Sequence, residues 1–121
     1  MKVFILMLIL LVPCISWGRT ETRKVAKIRM ILLDEAIEKY RRDVGFYPPV
    51  ERGLEGLLDN PEGYVNWRGP YLKTQYFLID PWSKPYIYIY PATLGGVGYD
   101  LYSAGRNGVD EHKSGDDIVH R

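Results

Sequence analysis

The densest run of oxygen donors in the chain lies between Asp100 and Ile118. Asp100, Ser103, Asn107, Asp110, Glu111, Asp116 and Asp117 share this stretch with Gly105, Gly108 and Gly115. Hard cations such as Ca²⁺ collect about six to eight oxygens from carboxylates, amide side chains and backbone carbonyls on a bending loop. Glycines let such a loop turn its carbonyls inward. The segment does not read as an EF-hand. The same composition also describes a solvated acidic loop in which Asp and Asn serve turns, and spacing alone leaves both readings open.

Groups for other chemistry are sparse. Both histidines, His112 and His120, fall in the final ten residues, outside any regular pattern. Ser83, Ser103 and Ser114 have no Gly-x-Ser-x-Gly setting, and no phosphate-cradling glycine pattern precedes a helix. The one cysteine, Cys14, excludes an intrachain disulfide framework, a Cys-based zinc site and Cys-x-x-Cys redox chemistry. With 16 Lys+Arg against 15 Asp+Glu, the net charge of +1 supplies no nucleic-acid footprint. The sequence therefore points away from an enzyme.

At 121 residues there is room for one small domain. Lys2, the apolar run Val3 to Val12, Pro13 and the small residues Ser16 and Gly18 match a secretory signal peptide. The run is shorter than the about 20 apolar residues of a spanning helix. The expectation is a leader over 1–18, removed by cleavage, and a globular domain over 19–121 in an extracytoplasmic space. The alternative is an inner-membrane anchor formed by the same segment. If the leader is cleaved, no membrane span remains.

The elements that must position the acidic segment come next. Thr20 to Val44 reads as one amphipathic helix, with Val25, Ile28, Leu32, Leu33, Ala36 and Tyr40 on its apolar stripe. Glu38 and Arg42 stand at i,i+4, Arg41 and Arg42 read as a solvated face, Gly45 is placed as a C-terminal cap, and Pro48-Pro49 blocks continuation. A shorter helix is expected over Glu51 to Leu58, closed by Asp59-Asn60-Pro61.

All ten tyrosines but Tyr40 lie between Tyr47 and Tyr102. Tyr86 to Tyr90 alternates as a strand, with Tyr86, Tyr88 and Tyr90 on one face, open either as a partner surface or as the half-exposed face of an edge strand. Gly95-Gly96 reads as a turn and Val97 to Tyr102 as the returning strand. Asp100 inside that strand requires an edge position or a binding partner. Trp67, Tyr71 and Trp82 are expected to pack the sheet on the helix. The fold class is α+β: a long N-terminal helix on a small antiparallel β-sheet, closed by an irregular C-terminal loop.

Five blocks carry a family resemblance: Lys39 to Pro48, Gly53 to Leu57, Asn66 to Leu72, Asp80 to Tyr86 and Tyr99 to Gly105, in that order. Together, over about residues 24 to 119, they resemble the periplasmic domain of the major pseudopilin of type II secretion systems. The resemblance implies a pilin-like, non-enzymatic assembly subunit. Its partners would be other pseudopilins or secretion-system proteins, with self-association and no nucleic acid. It also implies a structural Ca²⁺ in the C-terminal loop. Matched by motif, the ligand set falls on Ser103, the Ala104 carbonyl, Asn107, Ser114, Asp116 and Asp117, with Asn107 standing where the family usually has Asp. No Gly-Phe-Thr-Leu-x-Glu motif occurs in the sequence, and the expectation is a soluble paralogue that docks on a pseudopilus or a related machine. The alternative is a soluble periplasmic binding module that recognises a ligand or partner through the tyrosine face.

Overall fold

The computed structural model describes residues 2–93 and 98–119, with side chains from residue 21 onward. Helix α1 (Lys2–Val44) is continuous over 43 residues. The expected start at Thr20 is therefore wrong: the Leu-rich run before it propagates helix readily, and Pro13 lies inside the element. The C-terminal end is where it was expected. Gly45 N–H donates to the Arg41 carbonyl at 2.9 Å, and Pro48 and Pro49 cannot carry the helix further. Among the described residues no helix is long and apolar enough to cross a membrane.

The buried stripe of α1 is Ala26, Met30, Leu33, Ile37 and Tyr40, spaced by alternating steps of four and three, with Ala36 beside it. Leu33, Ala36 and Tyr40 were expected there; Val25, Ile28 and Leu32 were too, yet all three are exposed. The helix carries two overlapping apolar stripes. The sheet covers only one, a choice made by tertiary contact that periodicity does not encode. Glu38 likewise pairs with Arg41 at 3.1 Å and not with Arg42, because its other carboxylate oxygen accepts the Tyr47 hydroxyl at 3.0 Å.

Strands β1 (Ile87–Ile89) and β2 (Asp100–Tyr102) pair antiparallel, with Ile87 opposite Tyr102 and Ile89 opposite Asp100. Both are shorter than expected, and the Gly95-Gly96 turn lies outside the described residues. Single bridges extend the sheet at each side, Ile79 to Pro85 and Ser103 to Ile118. The tyrosine face turns inward. Tyr86 donates its hydroxyl to the Ala26 carbonyl at 3.1 Å and Tyr88 to the Pro48 carbonyl at 2.8 Å, while the Tyr90 ring packs edge-on against Tyr47. Burial holds both the Tyr86 and Tyr88 hydroxyls far above the usual phenol range. Tyr86 is buried and Tyr88 and Tyr90 are half-buried against the core, the half-exposed one of the two expected arrangements: amphipathic rings can bury their bodies and still satisfy their hydroxyls on helix and loop carbonyls.

The expected second helix contracts to a 3₁₀ helix (Gly53–Leu57). Gly53, its first residue, takes a φ of +58°, which breaks α geometry within the expected Glu51–Leu58 span. It still delivers Leu54 and Leu57 to the core. A further 3₁₀ helix (Gln75–Leu78), unforeseen from the pattern, begins where the Thr74 side chain accepts the Tyr76 N–H. Trp67, Tyr71 and Trp82 pack against the core as expected.

The assignment of the buried stripe is checked by paired truncations. Ile37→Ala should destabilise by about 2–5 kcal/mol, whereas Ile28→Ala should stay within about 0.5 kcal/mol. Urea denaturation of the two variants separates these outcomes; equal losses would contradict the stripe.

Candidate cation loop

Asp80 is the anchor of this end of the molecule. It is 2% exposed, and its carboxylate is filled by three donors. Trp82 N–H and Lys84 N–H reach one oxygen, each at 2.9 Å, and the Ser103 hydroxyl reaches the other at 2.7 Å. Ser103 in turn accepts the Gly105 N–H on its hydroxyl and exchanges two backbone bonds with Ile118. The stretch from Ala104 to Asp117 is thus closed at its base before any of its own contacts are counted.

Inside the closed stretch each carboxylate collects backbone amides. Asp117 Oδ2 accepts Glu111 N–H at 3.0 Å and Lys113 N–H at 2.9 Å. Glu111 Oε1 accepts Asp116 N–H and the Asn107 amide, and Asp116 Oδ2 accepts Asn107 N–H at 2.8 Å. Asp110 accepts the buried Tyr102 hydroxyl at 2.7 Å and His112 N–H. Those bonds hold the Asp110 carboxyl below its ordinary range. Gly105 has a φ of +73°, and a Cβ there would collide with the Asp116 carbonyl oxygen. Only glycine lets the two arms of the loop approach this closely.

Asp100 finds the partner its position required. It is buried, accepts the Lys113 ammonium at 2.6 Å on Oδ1 and accepts both the amide and the hydroxyl of Thr93 on Oδ2. Burial pushes its carboxyl up, but the Lys113 and Thr93 hydrogen bonds outweigh that and hold it below the usual value.

The six residues singled out by sequence meet different fates. Ser103 is fully buried and its hydroxyl is committed to Asp80. The Ala104 carbonyl accepts no hydrogen bond among the described residues. Asn107 holds Val109 N–H through its oxygen and Glu111 through its nitrogen, and the Ser114 carbonyl accepts Asp117 N–H. Asp116 and Asp117 lie side by side in the loop. Asp117 Oδ1 stands apart: it is buried and has no hydrogen-bond partner, in a side chain only 7% exposed.

No three Asp, Glu, His or Cys side chains converge as a metal-binding group among the described residues. Any cation here would therefore need carbonyl and amide oxygens as well. An orphaned buried carboxylate oxygen, a free carbonyl and a glycine-permitted close approach are consistent with such a donor set.

Two organising residues were missed by the sequence reading: Asp80 and Lys113. Asp80 and Ser103 are 23 residues apart, a separation that carries no local signal. Counted from Asp100, Gly105 and Glu111 do fall at the sixth and twelfth positions of an EF-hand loop. The third and fifth are Tyr102 and Ala104, however, and the Asp100 carboxylate belongs to Lys113, so the EF-hand remains excluded on different grounds.

Comparison with known proteins places this arrangement. Residues 16–121 match the family model described as type II secretion system (T2SS), protein G. The type II secretion system core protein G of Pseudomonas aeruginosa is 38% identical over 71% of this chain and 61% of its own length. That of Escherichia coli K12 is 30% identical over 92% of this chain and 76% of its own. The chain thus spans about three fifths of the Pseudomonas aeruginosa relative. The crystal structure of the major pseudopilin from the type 2 secretion system of enterohaemorrhagic Escherichia coli superimposes with a TM-score of 0.69 at 26% identity, covering 86% of this chain and 90% of that one.

Asp80→Ala strands two amides and the Ser103 hydroxyl in a buried site, and should cost on the order of 3 kcal/mol in chemical denaturation; an unchanged midpoint would contradict its anchoring role. The depressed Asp100 value has a defined sign. Its contribution is fully present above the unfolded value near 3.8 and is lost as pH falls through the lower folded value. Asp100→Asn should flatten the acid limb of the stability–pH curve in that window, and an unaltered limb would exclude Asp100 as its source.

Proposed function

This chain belongs to the type II secretion system protein G family, and on that premise we propose that it is a non-enzymatic, extracytoplasmic subunit of a protein secretion machine. Its partners are other pseudopilins or secretion-system proteins. The observation that carries this reading is the match of residues 16–121 to the family model, with a fold match that covers 86% of the chain. The sparse catalytic inventory agrees with it. Deleting the corresponding gene should remove a set of folded proteins from the culture medium while leaving them in the periplasm. A medium proteome identical to the parent's would overturn the assignment.

The same reading includes a structural Ca²⁺ in the loop. The residues that would hold it are Asp117 through its orphaned Oδ1, the Ala104 carbonyl, Asn107, Asp116 and the Ser114 carbonyl. When bound, Ca²⁺ supplies a concentrated positive charge that fixes oxygen donors around it. What supports the site is the Asp117 oxygen, buried and otherwise uncompensated. With Asn107 in place of an acid, the set carries one less charge, which lowers affinity without removing an oxygen.

Because metal that binds only the folded chain adds to its stability, Ca²⁺ at a hundredfold excess over Kd should contribute about 2.7 kcal/mol. A thermal melt should rise by several degrees in Ca²⁺ over chelator, less in Mg²⁺, and Asp117→Asn should abolish the rise. Identical melts in Ca²⁺ and chelator would dismiss the site.

A further inference from the structure

We infer that the Lys113 ammonium is a built-in counter-ion latch, which holds the 104–117 loop in its donor-presenting shape before any metal arrives. The inference rests on the loop site proposed above for its role, but on separate contacts for its geometry. Lys113 is bound at both ends. Its backbone N–H donates to Asp117 Oδ2 at 2.9 Å, and its side chain reaches out of the loop to Asp100 Oδ1 at 2.6 Å. Asp100 is a buried residue of β2, so the loop is pinned to the sheet at a second point, independent of the Ser103–Ile118 bridge.

The backbone that carries this side chain is itself tightly held. His112 and Lys113 are consecutive non-glycine residues at positive φ, +54° and +68°. Such a conformation persists only where surrounding contacts over-determine it. Those contacts are His112 N–H on Asp110 and Lys113 N–H on Asp117. Glu111 N–H joins Lys113 N–H on Asp117 Oδ2, while His112 N–H between them goes to Asp110, and of the Asp117 carboxylate only Oδ1 is left over. The acidic loop is thereby relieved of part of its self-repulsion by a cation covalently its own, and the oxygen it leaves open is a fixed one. A loop prepared in this way gives up less ordering entropy when a ligand binds.

The test is amide hydrogen exchange on the full chain, metal-free and then in Ca²⁺, for wild type, Lys113→Met and Lys113→Arg. In metal-free wild type the Asn107, Glu111 and Lys113 amides should be protected. Lys113→Met should lose that protection by tenfold or more at Asn107, Glu111 and residue 113, with the Ser103 and Ile118 amides unchanged as the control for the fold. Lys113→Arg, which keeps the charge, should recover most of it. Protection restored to Lys113→Met by Ca²⁺ supports both latch and metal. Lost protection that Ca²⁺ fails to restore supports the latch and removes the metal. Loop amides that are unprotected in metal-free wild type, or indifferent to Lys113→Met, would overturn the latch.

Discussion

The carboxylate of Asp80 is the constraint on which the lower half of the molecule depends. A buried charge is tolerated only when its hydrogen-bonding capacity is filled, and Asp80 is filled by two amides of its own turn and by Ser103 from the end of β2. That arrangement fixes the turn leading into β1 and the point where the chain leaves β2. Ser103 then closes the loop through Ile118. A two-stranded sheet of three residues each has little stability of its own. Here it is held by a polar anchor at one end and by the helix stripe from Ala26 to Tyr40 across its face.

The same economy governs the loop. A segment with almost no regular structure is organised by carboxylates accepting backbone amides, each spanning only a few residues, while Lys113 and Ser103 supply the long-range ties. This division explains which parts were legible in the sequence. The helix body, its stop at Gly45, the strand between Pro85 and Pro91 and the acidic loop all announce themselves through periodicity, proline and glycine. The helix start was misplaced because residues 1–18 read as a separate leader, although helix-forming residues continue through them into the amphipathic part. The apolar stripe was rotated because Val25, Ile28 and Leu32 satisfy the same period as the residues that are buried. The tyrosine face was read as a partner surface or a half-exposed edge, and its packing on the core was not foreseen, because a phenol's polar end says nothing about where its ring goes. Asp80 and Lys113 were invisible because their partners lie 23 and 13 residues away on other segments.

The functional reading joins these levels. An assembly subunit needs a rigid body more than a pocket, and this chain spends its buried polar groups on rigidity. Tyr86 and Tyr88 tie β1 to the helix and to the Pro48 segment, Asp80 ties the turn to β2, and Asp117 gathers the loop. Among the described residues, Asp117 Oδ1 is a buried carboxylate oxygen with no hydrogen-bond partner, and it is the oxygen on which the proposed Ca²⁺ would rest.

The most direct measurement follows that oxygen. Carbon-detected NMR of the side-chain carboxyl of Asp117 and the carbonyl of Ala104, during titration of Ca²⁺ into the metal-free chain, reports on the two donors that have no partner. A saturable shift of both, with the Asp80 carboxyl unmoved, is the result this account predicts. Unchanged resonances at Asp117 and Ala104 up to millimolar Ca²⁺ would contradict it.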